Sequence, residues 1–195
     1  MPGDARQAQV LAFWRDLGPA GWYAGTPEID ALVRQRFLGL WQEARQGGLR
    51  GWGESAEGAL AEILVLDQFP RNMFRDGPEA FATDHAALTA AARAIAEGHD
   101  LAIAPPERQF FYLPFMHAED LLAQHRGVAL FAERMPGENE RHARAHRDVI
   151  AAFGRFPWRN AALGRPDTPA EARFLAEGGY RKALEAHPPL PREKN

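Results

Sequence analysis

Asp67 shares a helical stripe with Leu60, Ile63 and Leu64, so its carboxylate should point inward. A buried carboxylate needs a cation or several hydrogen-bond donors, or its pKa rises until it is neutral. Gln68, Arg71 and Asn72 follow at once, in the stretch Phe69-Pro70-Arg71-Asn72. The arrangement returns 87 residues later as Phe156-Pro157-Trp158-Arg159-Asn160. A guanidinium offers a planar two-pronged fork to a carboxylate or another anion. Two readings follow. Arg71, Asn72, Arg159 and Asn160 contact an anionic ligand, or they form an Asp–Arg lock and cap the ends of the helices they close.

His117 and Glu119 come just after Tyr112-Leu113-Pro114-Phe115-Met116, at an expected helix start behind a proline break. A carboxylate there gains from the positive end of the helix dipole. The functional reading is acid/base catalysis, or metal ligation by His117 with Glu119 or Asp120; the plain alternative is a helix cap with a hydrogen-bonded histidine. His142 and His146 stand four apart on a helix, with Glu138 one turn earlier, a spacing that can bring two imidazoles to one metal. His146 also lies on the stripe of Ile150 and Phe153, which favours a satisfied core histidine. Phe110, Phe111, Tyr112 and Phe115 read as core, with a pocket wall as the alternative. There is no phosphate loop, dinucleotide fingerprint or Gly-x-Ser-x-Gly elbow.

The composition narrows the classes. The 195 residues are 46% apolar and 25% charged, with formal net charge −3, enough for one domain with a sizeable core. A weakly acidic balance argues against nucleic acid or an anionic membrane as partner. No apolar run reaches the length of a membrane span. The first residues lack the basic and apolar regions of a signal peptide. The absence of cysteine excludes disulfides, thiol catalysis and zinc–thiolate sites. Cytoplasmic is the default expectation.

Helical patterning runs almost throughout. Asp4 with Gln7 resembles a capping box, and that helix stops at Gly18-Pro19. Thr26-Pro27 starts a second, which carries Ile29, Val33, Phe37, Leu40 and Trp41 and ends at Gly47-Gly48. Ser55 caps a third that should end near Phe69, because Pro70 disfavours the helical conformation in the residue before it. Further helices are expected over about 83–97, 117–135 and 138–154. Thr168-Pro169-Ala170-Glu171 combines a capping box with proline at the first helical position. The spacing predicts an all-α fold of about eight helices in stacked antiparallel pairs, one domain over 1–180, and a frayed tail over 181–195.

Three ordered blocks carry a resemblance: Leu66-Asp67-Gln68-Phe69-Pro70-Arg71-Asn72, Tyr112-Leu113-Pro114-Phe115-Met116-His117-Ala118-Glu119, and His146 through Phe153-Gly154-Arg155-Phe156-Pro157-Trp158-Arg159-Asn160 to Leu163-Gly164-Arg165. They resemble the bacterial helical family known as domain of unknown function 924, over nearly the whole chain. The resemblance implies a tetratricopeptide-repeat-like helical superhelix. In that family the third block usually reads Phe-Pro-His-Arg-Asn, so Trp158 replaces a histidine, and a stacking or packing role is implied there.

These residues leave three functions open. A binding module would present Gln68, Arg71, Asn72, Tyr112, Arg155, Trp158, Arg159 and Asn160 to a small anionic ligand or acidic peptide. A small enzyme would use Asp67, His117, Glu119 and His146 in metal-assisted or acid/base chemistry, as a hydrolase or in metal- or haem-dependent redox. A structural role would use the same residues only to fix helix packing. The cofactor is unspecified. The two Phe-Pro elements and the Tyr112–Glu119 block are expected to form one polar centre.

Overall fold

A computed structural model describes residues 4–189. They form helices joined by turns and short 3₁₀ stretches, with no strand among the described residues, so the all-α class holds. The domain expected over 1–180 divides into two compact units, which part between Pro114 and Phe115.

In the first unit, α1 spans Ala5–Trp22 and starts where the Asp4 carboxylate accepts the Arg6 backbone N–H at 3.0 Å. The stop expected at Gly18-Pro19 is a kink. Gly18 takes φ 60°, ψ 178°, and the helix resumes to Trp22. Thr26 caps α2 (Pro27–Arg45), whose stripe of Val33, Phe37 and Trp41 is buried, and Ser55 caps α3 (Ala56–Ile63). The core is aromatic: Phe37 packs on Phe69 at 4.6 Å between centroids, and Trp14 meets Phe110 edge-on at 5.4 Å.

The third helix does not end near Phe69. It widens into a buried π turn over Leu64–Gln68 and continues as α4 (Phe69–Met73). The reason lies in two hydrogen bonds. Pro70 has no N–H, so the Leu66 carbonyl four residues earlier loses its helical donor. Thr83 replaces that donor: its hydroxyl donates to Leu66 O at 2.6 Å and accepts from Trp41 Nε1 at 3.1 Å. Thr83 precedes α5 (Asp84–Ala96), yet its side chain makes no cap there because it is spent on the π turn. Thr83→Val keeps the shape and orphans both partners. We expect it to lower the unfolding free energy by about 2–4 kcal/mol, since a buried unsatisfied group costs about 1–3 kcal/mol; urea titration checks this.

After α6 (His99–Ala102), α7 (Leu113–His117) carries the chain across the boundary. The single helix expected over 117–135 is interrupted. His117 ends α7, and Asp120 caps a separate α8 (Leu121–Arg134) through the Ala123 N–H at 2.7 Å. Side chains fill the break: Gln124 Nε2 donates to the carbonyls of Met116 (2.7 Å) and Ala118 (2.8 Å), and Arg159 Nη2 donates to that of His117 (3.0 Å).

The second unit's core gathers Val149, Ile150 and Phe156, with Phe153, Trp158, Phe174 and Ala183 against them. It packs α9 (Glu138–Phe153) with α10 (Pro169–Ala176), which opens on the expected capping box of Thr168 and Glu171. The stretch read as a frayed tail begins inside a helix, α11 (Tyr180–Glu185). Arg141 on α9 donates to the carbonyls of Leu184 and His187, which satisfies the end of that short helix. The part of the expected tail over 190–195 lies outside the described residues.

Candidate functional site

The two Phe-Pro elements fall one in each unit. In the first, Asp67 is fully buried in the π turn, as its stripe predicts. Arg71 Nη1 lies 3.3 Å from Asp67 Oδ1 and donates to Asp67 O at 2.6 Å, while its Nη2 lies 2.8 Å from Asp84 Oδ1. Gln68 Nε2 donates to Asp67 Oδ2 at 2.5 Å. The arginine therefore ties the turn to the start of α5. Asn72 donates to Asp30 Oδ1 at 2.8 Å, and Arg75 grips the same carboxylate through Nε (2.8 Å) and Nη2 (2.9 Å), which fastens α4 to α2. Tyr112 is fully buried and donates to Asp100 Oδ2 at 2.7 Å. Tyr23, which the sequence did not single out, donates to Gln109 Oε1 at 2.6 Å.

In the second unit Glu119 accepts the Phe156 N–H at 2.8 Å and a two-pronged grip from Arg165 at 2.7 and 2.9 Å. Burial works to raise its pKa. The Arg165 and Phe156 hydrogen bonds, with the Arg165 and Arg159 charges, outweigh burial and hold it below the usual carboxylate range. Arg165 Nε also donates to Asn160 Oδ1 (3.0 Å), and Asn160 Nδ2 donates to Asp167 Oδ1 (2.7 Å). Arg155 grips Glu171 at 2.6 and 2.8 Å. That grip, with the Thr168 N–H, keeps Glu171 far below its ordinary value. The buried Arg159 stacks its guanidinium 4.7 Å above the Phe156 ring. Arg165 and Glu171 were named in the sequence only as the end of the third block and as part of the capping box, and neither signal reveals a long-range partner.

A different arrangement surrounds His146. Its ring meets Phe156 at 5.3 Å, Trp158 at 5.8 Å and Tyr180 at 4.7 Å. Trp158 also stacks on Phe156 at 4.8 Å, which matches the packing role implied for it. His146 Nδ1 lies 2.8 Å from the His142 carbonyl. A carbonyl only accepts, so Nδ1 carries the proton and Nε2 presents a lone pair in the neutral ring. Burial first, then positive charge on His117, Arg159 and His142, pushes the His146 imidazole down to about 3; the His142 carbonyl opposes that and loses. His142 Nδ1 meets the Tyr180 hydroxyl, and its Nε2 lies 3.6 Å from Glu138 Oε1. Burial lowers the His142 pKa and raises that of Tyr180 above the ordinary phenol range.

The acids and bases singled out in the sequence thus sort by availability. Asp67 and Glu119 are ion-paired, whereas His146 sits neutral among aromatic rings. His142 and His146 share a helix as expected, but their Nδ1 atoms turn to Tyr180 and to a backbone carbonyl. Among the described residues no group of three or more histidines, aspartates and glutamates is placed to hold a metal. No helix among them is long and apolar enough to cross a membrane.

No curated protein matches the chain. A solved structure described as a protein of unknown function, ATU0120 from Agrobacterium tumefaciens, superposes with TM-score 0.86 at 44% identity, covering 89% of this chain and 98% of that one. The family described as bacterial protein of unknown function (DUF924) matches over residues 10–179, so it takes in the π turn, the Glu119 network and, of the residues around His146, all but Tyr180. The chain belongs to that family.

Proposed function

We propose that the second unit is a binding module for a small anionic ligand, seated at His146 beside His117 and Arg159. The observation that carries this reading is the surroundings of His146: a neutral, partly buried imidazole ringed by Phe156, Trp158 and Tyr180, on which the leading charges, those of His117, Arg159 and His142, are all positive when protonated. An anion arriving there meets buried positive charge and would offset what depresses the imidazole. The acidic-peptide alternative has less support, because Arg155, Arg159 and Arg165 form no open row: Arg155 and Arg165 already grip carboxylates and Arg159 is buried. The cysteine-free composition supports a cytoplasmic setting.

The catalytic alternative has one observation in its favour, the unprotonated Nε2 of His146. An imidazole held at about 3 is nevertheless a weak base at neutral pH. Binding therefore fits this centre better than proton abstraction.

Inorganic phosphate is the simplest probe. In ¹⁵N-resolved imidazole spectra, saturating phosphate should perturb the His146 Nε2 resonance at neutral pH. It should also move the titration midpoint upward by about 1–2 pH units, the range that an opposite charge a few ångströms away produces. A His146 resonance indifferent to phosphate and to carboxylates would sink the proposal.

A further inference from the structure

The last helix of the second unit is held down without a core of its own. Every other α-helix among the described residues contains a buried residue, whereas α11 contains none. Its inner stripe is Tyr180, Ala183, Leu184 and, just past the helix, His187, all half-buried, while Arg181, Lys182, Glu185 and Ala186 are exposed. That spacing is one face of a helix, and the face lies along α9.

Most of what fastens this face is polar. Arg141 on α9 donates to the Leu184 carbonyl at 3.1 Å and to that of His187, and His187 Nε2 lies 2.8 Å from Oδ2 of the exposed Asp148. Ala183 is the small apolar contact, set against Val149, Ile150 and Phe156. Exposed pairs of the His187 type contribute little, and local opening is easiest where few apolar groups are buried. Two consecutive glycines lead into the helix: Gly178 at φ 117° and Gly179 at φ 55°, ψ −129°. Few other residues adopt such angles, and a short segment able to absorb a large change in φ and ψ is what a hinge requires.

Beneath the helix lie the two histidines. The Tyr180 ring stands 4.7 Å from His146 and 5.4 Å from Trp158, and its hydroxyl meets His142 Nδ1. We infer that α11 is a hinged lid, shut in this structure by Tyr180 and Arg141, and that its opening at Gly178-Gly179 lays bare His142 and His146. The lid governs access to the anion site read above, and it stands whether or not an anion binds there.

The chain has no cysteine, so Ala183→Cys places a single thiol on the inner face of the lid. In the full-length native protein its alkylation should be at least about tenfold slower than in the urea-unfolded chain. It should depend only weakly on low urea, because opening the lid exposes little surface. Adding Tyr180→Phe keeps the ring and removes the hydroxyl, which should speed labelling about three- to tenfold, the equivalent of one neutral hydrogen bond. Adding Arg141→Gln should speed it by about tenfold or more, since two carbonyls lose a charged donor. Carbethoxylation of His146, followed by mass spectrometry, should quicken in step with the thiol. A thiol labelled only along the global unfolding curve overturns the lid. So does one that reacts in the native protein at the unfolded rate, because nothing then holds α11 down. A faster thiol with unchanged His146 reactivity overturns the gating. Should Ala183→Cys fail to fold, hydrogen exchange of the unaltered chain takes its place. Ala183 and His187 amides that exchange through smaller openings than those of Val149 and Ile150 support the lid, and equal protection overturns it.

Discussion

Asp67→Asn should lower the unfolding free energy of the first unit by about 3–5 kcal/mol, the range for removing one partner of a buried ion pair. The loss has a specific origin. Asp67 is fully buried, and Arg71 depends on it twice, through Oδ1 and through the main-chain carbonyl. The substitution keeps the carbonyl and the side-chain shape but removes the charge, so the guanidinium keeps Asp84 as its ionic partner and loses Asp67. Asp84→Asn should cost less, because the Asp84 side chain is 16% exposed and water can replace part of what is lost. Urea titration followed by tryptophan fluorescence reads the first unit well, since Trp14, Trp22, Trp41 and Trp52 all belong to it. A change below about 1 kcal/mol, the level of an exposed pair, would show that Asp67 is no lock and would return it to the list of ligand-contacting acids.

What the sequence made legible here is what local chemistry decides. Thr26-Pro27, Ser55 and Thr168 with Glu171 start helices where expected, because a cap is settled within three or four residues. The inward turn of Asp67 followed from its stripe, and Arg71 as its partner followed from the demands of a buried charge. The course of the chain past Phe69 was not legible. Pro70 announces a missing donor, but whether the helix stops or bulges depends on Thr83, which reaches back from 17 residues away.

The same distance limit explains the second unit. Glu119 and His142 were visible as chemistry-bearing types, but the partners that hold them lie far along the chain: Arg165 is 46 residues from Glu119, and Tyr180 is 38 from His142. Gln124 carried no sequence signal at all. A glutamine on an amphipathic helix reads as surface until the break at Ala118 shows what it caps.

His146 should make the stability of the second unit depend on pH. Its folded pKa of about 3 lies below the ordinary 6.5, so between those values the unfolded chain binds the proton that the folded protein refuses. The contribution is complete above about 6.5 and is lost as pH falls, at up to about 1.4 kcal/mol per pH unit, or roughly 4–5 kcal/mol across the whole window. Carboxylates such as Glu119 act in the same direction, but only where they begin to protonate, near and below their unfolded value of 4.5. The informative interval is therefore pH 7 to 5. There the wild type should lose about 2 kcal/mol on account of His146. His142, whose pKa is also lowered by burial, adds to the slope. His146→Phe keeps an aromatic ring among Phe156, Trp158 and Tyr180 and removes the titrating group, so its stability should fall by less than half as much. Trp158 is the only tryptophan of the second unit and packs against the site, which makes selective incorporation of a fluorinated tryptophan a direct readout. Parallel curves for the two proteins would mean that His146 titrates alike in folded and unfolded chains. Water would then reach the ring freely, and the enclosure on which the binding proposal depends would not exist.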